Sequence, residues 1–246
     1  MIGIVLAILV GYVAYKVFFA VEPTCFDSKQ NQDERGIDCG GICARVCPRD
    51  AKTIVPLWSR VFQVTPGVYS AVAYVENQNR TAGVAAINYE FRAYDADNIL
   101  AAEPVTGTAF IGPNERTAIF ASPIKTGNRI PTQVFFTFTS VPQWTTLDAR
   151  YAVPQLTSAN TMLADVDRAP KLSADVVNNT LFDYRNVQVV AILYGADGNA
   201  IAASKTIIET IPQQTTQKAY FTWPQKLSAP VTRIEIIPRI NPFVQQ

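Results

Sequence analysis

The sequence predicts a mainly β protein: two tandem immunoglobulin/fibronectin-like antiparallel β-sandwiches, after an N-terminal transmembrane helix and a short Cys-rich module. Three observations predict it. An apolar run about as long as a bilayer is thick opens the chain, all four cysteines fall within residues 25–47, and from Thr53 onward β-branched and aromatic residues alternate with polar ones. Each period belongs to one environment: an unbroken apolar run to lipid, a core-poor Cys cluster to cross-links, and a period of two to a half-buried strand.

Ile2 to Val21 is apolar except for Lys16. At a rise of about 1.5 Å per residue its ~20 residues match a hydrocarbon core of about 30 Å. A cleaved secretory signal is the rival reading, but no basic region precedes the run and no small-x-small cleavage site follows it. Tyr12, Tyr15, Phe18 and Phe19 are expected at one interface, with Lys16 snorkelling beside them. The expectation is an anchor over residues 1–22, a single pass through the cell membrane, and all later domains outside.

Residues 23–52 form a separate neck with almost no aliphatic content. The spacing Cys25-x13-Cys39-x3-Cys43-x3-Cys47, in a segment just outside a membrane, predicts two disulfides. Spacing alone leaves all three pairings open. The C-x2-C pairs usual in zinc and iron–sulfur sites are absent. Asp27, Asn31, Glu34 and Asp38 lie between the cysteines and offer the oxygen ligands that calcium prefers. Lys29 and Gln32 occupy positions where an EF-hand needs an oxygen ligand and a turn glycine, so the segment is not one. Two readings stand: weak calcium binding by these four residues, or acids that cap turns.

Strand patterns follow. Ile87, Tyr89, Phe91 and Ala93 alternate with Asn88, Glu90 and Arg92, and the same period runs through Val187, Val189, Ala191 and Leu193. The stretch from Val75-Glu76-Asn77 through Tyr94-Asp95 to Phe120 recurs, with single-residue gaps, from Val176-Val177-Asn178 through Tyr194-Gly195 to Phe221. Each copy closes on a Pro-led strand, Pro131 to Phe138 and Pro230 to Ile237. This gives a first sandwich over 53–141, a linker with two prolines over 142–160, and a second sandwich over 161–246.

The V-x-N step followed by a strand that ends in an aromatic-Tyr-Asp step and a hairpin resembles the FxLYD-type and late-embryogenesis-abundant-like β-sandwich domains. Val75-Glu76-Asn77-Gln78-Asn79 and Phe91-Arg92-Ala93-Tyr94-Asp95 carry the resemblance in the first repeat. The second departs at Gly195, where Asp would be expected. Taken with Trp58-Ser59-Arg60-Val61 and Lys125 to Pro131, the anchor, the Cys-rich unit and the first sandwich are similar to a family of membrane-anchored surface proteins of small-genome candidate-phylum bacteria, a resemblance that covers nearly the whole chain and implies no known activity. The neck is similar to short C-x-D…N-x-x-E…D-C-G-G modules of bacterial surface proteins.

Composition narrows the function. Lys plus Arg number 21 against 20 Asp plus Glu, a net charge of +1, so no global field selects nucleic acid. Histidine is absent, which removes the commonest general base and every triad built on it. Ser122 to Gly127 contains both S-x-x-K and K-T-G, but they share Lys125 and cannot occupy the separate helix and strand that such enzymes need. Asp165 and Asp167 read as solvated acids near Arg168 and Lys171. Asn79 and Asn178 open glycosylation sequons but read as turn formers. The aromatic set Trp58, Trp144, Trp223, Tyr89, Phe91, Phe136 and Tyr220 reads as core and inter-domain packing, with carbohydrate stacking as its alternative. The function expected is non-catalytic binding or structure at the cell surface, with the membrane and other proteins or cell-surface components as partners and calcium as the one candidate cofactor. The alternatives are an accessory subunit of a secretion or pilus assembly and a carboxylate-based enzyme.

Overall fold

The computed structural model describes residues 3, 5, 10–12, 24–152 and 155–244. The chain divides into two compact units, Met1–Cys47 and Pro48–Gln246. Most of the expected anchor lies outside the described residues; Gly3, Val5 and residues 10–12 are helical. Among the described residues no helix is long and apolar enough to cross a membrane.

The larger unit is built from antiparallel strands. The first repeat comprises β1 (Val55–Thr65), β2 (Val68–Glu76), β3 (Ala82–Tyr94), β4 (Val105–Ile111), β5 (Arg116–Lys125) and β6 (Gln133–Phe138). They form a sheet ordered β1-β2-β5 and a sheet ordered β4-β3-β6. A short strand β7 (Trp144–Thr146) then pairs with Ala82–Val84 of β3. The second repeat comprises β8 (Leu156–Ala164), β9 (Lys171–Asn178), β10 (Tyr184–Tyr194), β11 (Ala200–Ile211), β12 (Thr216–Thr222) and β13 (Arg233–Arg239). Its sheets are β12-β9-β8 and β11-β10-β13, so every strand of one repeat has its counterpart in the other.

The segment expected as a linker is largely ordered structure. Trp144 is buried at 4% exposure, and its burial draws residues 144–146 onto the edge of the first repeat. Residues 149–152 form a 3-10 turn, and the second repeat opens at Leu156.

The V-x-N asparagines show how closely the repeats correspond. Asn77 donates from Nδ2 to the carbonyls of Ala82 and Gly112 at 2.8 and 2.6 Å, and its own N–H bonds Glu115 at 2.8 Å. Asn178 donates from Nδ2 to Phe182 and Pro212 at 2.8 and 3.0 Å, and its N–H bonds Thr215 at 2.9 Å. Each side chain is buried and joins the two turns at one end of its sandwich, satisfying carbonyls that no strand partner reaches. Tyr94 and Tyr194 likewise accept from Thr132 and Thr232, both at 2.9 Å.

Burial alternates along most strands but is continuous from Val189 to Tyr194, because β10 is covered on both faces. One face, with Val187, Val189, Ala191 and Leu193, packs into a core with Leu172, Val176, Ala219 and Phe221 of the opposite sheet. The other face, with Val190, Ile192 and Tyr194, packs on Phe62, Val72, Ala118, Trp58, Tyr74 and Phe120 of the first repeat. The larger unit is therefore four sheets deep: β4-β3-β6, β1-β2-β5, β11-β10-β13 and β12-β9-β8.

Candidate functional site

The neck holds the candidate ligands found in the sequence. Cys25 bonds Cys43 and Cys39 bonds Cys47, with Cα atoms 5.6 and 5.0 Å apart. These links close loops in a segment too polar to order itself by burial. The chain between them turns repeatedly through the left-handed region, at Ser28, Gln32, Asp33, Asp38, Gly40 and Gly41. Gly41 is required there: a Cβ would stand 2.1 Å from the Asp33 carbonyl oxygen.

Asp27, Asn31, Glu34 and Asp38 are hydrogen-bonded among these turns. Asp27 Oδ1 accepts the Lys29 N–H at 2.9 Å, and its Oδ2 accepts the Asn31 Nδ2 amide at 2.9 Å. The Asn31 amide is the largest influence on the Asp27 carboxyl; desolvation opposes it, and the Lys29 and Thr24 backbone N–H groups add to it, so the carboxyl is held below its usual range. Glu34 is buried at 6% exposure, and its Oε2 accepts the N–H groups of Asn31 and Asp38, both at 3.2 Å. Asp38 accepts the Ser28 N–H on both oxygens at 3.1 Å. Three carboxylates thus serve as backbone acceptors, the turn-capping role. Asn31 Oδ1 is different: it is buried without a hydrogen-bond partner. Ligand atoms of Cys25, Glu34 and Cys43 lie within 4.8 Å of one another, but both sulfurs are tied up in a disulfide and offer no thiolate to a metal.

A second constellation lies between the repeats and was not legible as a site. Glu235 on β13 accepts the phenol O–H of Tyr74 at 2.6 Å and of Tyr194 at 2.7 Å. Arg233 sits 3.3 Å from the same carboxylate, with its guanidinium 3.5 Å from the centre of the Tyr194 ring. Burial and then the Glu235 carboxylate push the Tyr194 phenol up to about 12; the same causes raise Tyr74. Trp58 stacks on Tyr74 with ring centres 5.4 Å apart. Farther along the seam, buried Arg239 reaches Glu115 at 3.2 Å and the Phe110 carbonyl at 2.5 Å, and Arg60 donates to Asn199. Every one of these bonds crosses from one repeat to the other or braces a residue that does. The sequence signal was the polar period of β13, Arg233-x-Glu235, whose partners only the fold supplies.

The remaining sequence candidates resolve simply. Thr126 is buried in a turn, donating from Oγ1 to the Arg129 carbonyl at 2.7 Å, so the S-x-x-K and K-T-G stretch is the end of β5 and the turn that leaves it for the other sheet. Asp165 pairs with Lys171 at 3.1 Å on the surface. Asn79 and Asn178 are both buried. Trp144, Trp223, Phe91 and Phe136 are buried, whereas Tyr220 is exposed.

No family model and no curated protein matches this chain. Among solved structures, the red sea bream transglutaminase is matched over 75% of this chain and 29% of its own length, at 8% identity and a TM-score of 0.24. A likeness at that level carries no argument about fold or chemistry.

Proposed function

We propose that this chain is a non-catalytic, single-pass membrane-anchored protein of the outer membrane face. Its neck is a covalently closed spacer, and its two immunoglobulin/fibronectin-like repeats form a stiff binding or structural head. The observation that carries this reading is the pair of disulfides in a segment without a core, since such cross-links persist in oxidising compartments outside the cytoplasm. The apolar N-terminal run supports the anchor. The absence of histidine from the sequence supports a non-catalytic role. The test is protease treatment of intact cells followed by non-reducing peptide mapping. Loss of the β repeats with Cys25–Cys43 and Cys39–Cys47 intact is expected; full protection of the repeats, or free thiols at all four positions, contradicts it.

Calcium in the neck belongs to the same proposal. Its support is that Asp27, Asn31, Glu34 and Asp38 lie within one disulfide-closed segment and that Asn31 Oδ1 is buried without a partner. An extracellular site of this kind would bind at roughly 10⁻⁴–10⁻³ M. Titration calorimetry should show heat at millimolar calcium that Asn31→Ala removes. No heat leaves the three carboxylates as the turn acceptors their hydrogen bonds already make them.

A further inference from the structure

We propose that the outer face of the β4-β3-β6 sheet binds a neutral polysaccharide. The starting point is an inversion between matching positions. Across from Arg92 on β3 stands Phe135, and across from its counterpart Ile192 on β10 stands Glu235. Phe135 is 56% exposed, whereas Glu235 lies in the seam between repeats. Solvation alone would place them the other way round, and what sets Phe135 apart is that it pairs with a second aromatic, Tyr94, beside a fixed ion pair on the same face.

The surroundings of Phe135 say which ligand. Phe135, Tyr94, Glu90, Arg92, Thr137 and Thr139 line an open groove of about 510 Å³. Tyr94 meets Phe135 edge to face, ring centres 5.7 Å apart. Glu90 holds Arg92 at 2.5 Å beside them. A pyranose ring offers a flat face of C–H bonds that packs on an aromatic side chain, and vicinal hydroxyls that a carboxylate, a guanidinium and threonine hydroxyls can bond. Glu90 and Arg92 cancel in charge, so the groove gives a polyanion no advantage. A second copy of this chain is also disfavoured: where the working interface uses Val190, Ile192 and Ile237, this face presents Glu90, Arg92 and Thr137. The inference deepens the binding role proposed above and rests on it for the setting in which a glycan would be met.

The test uses the full chain in mild detergent, co-sedimented with insoluble cellulose, chitin and starch and titrated with their soluble hexasaccharides. Binding to at least one is expected, weakened at least tenfold by Phe135→Ala and by Arg92→Ala. Tyr220→Ala, which removes an exposed aromatic of the second repeat, should leave it unchanged. The inference is overturned if the wild type binds none of the three, if Tyr220→Ala weakens binding as much as Phe135→Ala, or if Phe135→Ala abolishes self-association instead. Because binding is read on purified protein, a chain found outside the cell that binds no glycan overturns this inference and leaves the proposed location standing.

Discussion

The two repeats share one skeleton and bury opposite sheets. In the first, the β1-β2-β5 sheet faces its neighbour; in the second, the β11-β10-β13 sheet does, and that sheet corresponds to β4-β3-β6 of the first. Chemistry follows the exposure. The pair Val72 and Phe120, packed in the seam, corresponds to Ser173 and Tyr220 on the outer face of the second repeat, and Tyr74 with Ala118 corresponds to Asp175 with the ion-paired Lys218. Inward positions and the V-x-N asparagines are kept in both. Skeleton and contact face are thus specified by different residues. Alternate positions and turn asparagines give the sandwich, while the intervening positions decide whether a face meets protein or water. Because a different sheet is used on each side, the contact would continue into a filament if the outer faces matched the seam; their polar residues make them a poor match for it.

The sharpest way to break this comparison is to write the outer face into the seam. Val190→Glu with Ile192→Arg installs the pair found at Glu90 and Arg92, and burying even a mutually paired Glu and Arg in the contact costs several kcal/mol, on the order of the desolvation penalty of each ion. Denaturant unfolding should show that loss, with both repeats destabilised together. Next in size is removal of the matching asparagines. Asn77→Ala and Asn178→Ala each leave buried backbone groups unpaired, at about 1–3 kcal/mol per group, and the two variants should lose similar amounts by urea unfolding. If one is silent, the two ends are not equivalent.

Alkaline pH probes the seam more gently. A phenol whose folded pKa is raised contributes stability that is fully present below its unfolded pKa near 10 and is lost as pH rises through the folded value, about 12 for Tyr194. Wild-type stability should therefore fall between about pH 10 and 12, more steeply than that of the Tyr74→Phe, Tyr194→Phe double variant, in thermal melts across that window. The smallest expected effect on stability comes from the reciprocal swap, Glu90→Val with Arg92→Ile, which changes an exposed face by no more than about 0.5 kcal/mol. What it should change is solubility, read as new self-association by sedimentation velocity.

Much of this was legible in the sequence, and the losses have physical causes. Alternation from Ile87 to Ala93 located β3, and the recurrence of Val-x-Asn located the repeats, because strand period and turn chemistry are local properties. Two disulfides followed from composition, but their pairing depends on where the left-handed turns at Ser28 to Gly41 bring the chain, which spacing does not encode. The run Val187-Gln188-Val189-Val190-Ala191-Ile192-Leu193-Tyr194 was read for its odd positions only. Its apolar even positions were the signal that β10 is covered twice. Strand β7 was missed because three residues are too short to show a period, leaving buried Trp144 as its sole mark. The polar period Arg233-x-Glu235 marked Glu235 only as a strand residue with a polar side, since its two phenols lie 161 and 41 residues away and no local pattern names them.

Calorimetric unfolding of the full chain tests the central claim most directly, that the two repeats are one stacked body held by nonequivalent faces. The wild type should melt residues 48–246 in a single transition, with calorimetric and van't Hoff enthalpies that agree. The Val190→Glu, Ile192→Arg variant should melt at lower temperature. Two resolved transitions in the wild type, unchanged in temperature by that variant, would contradict the account.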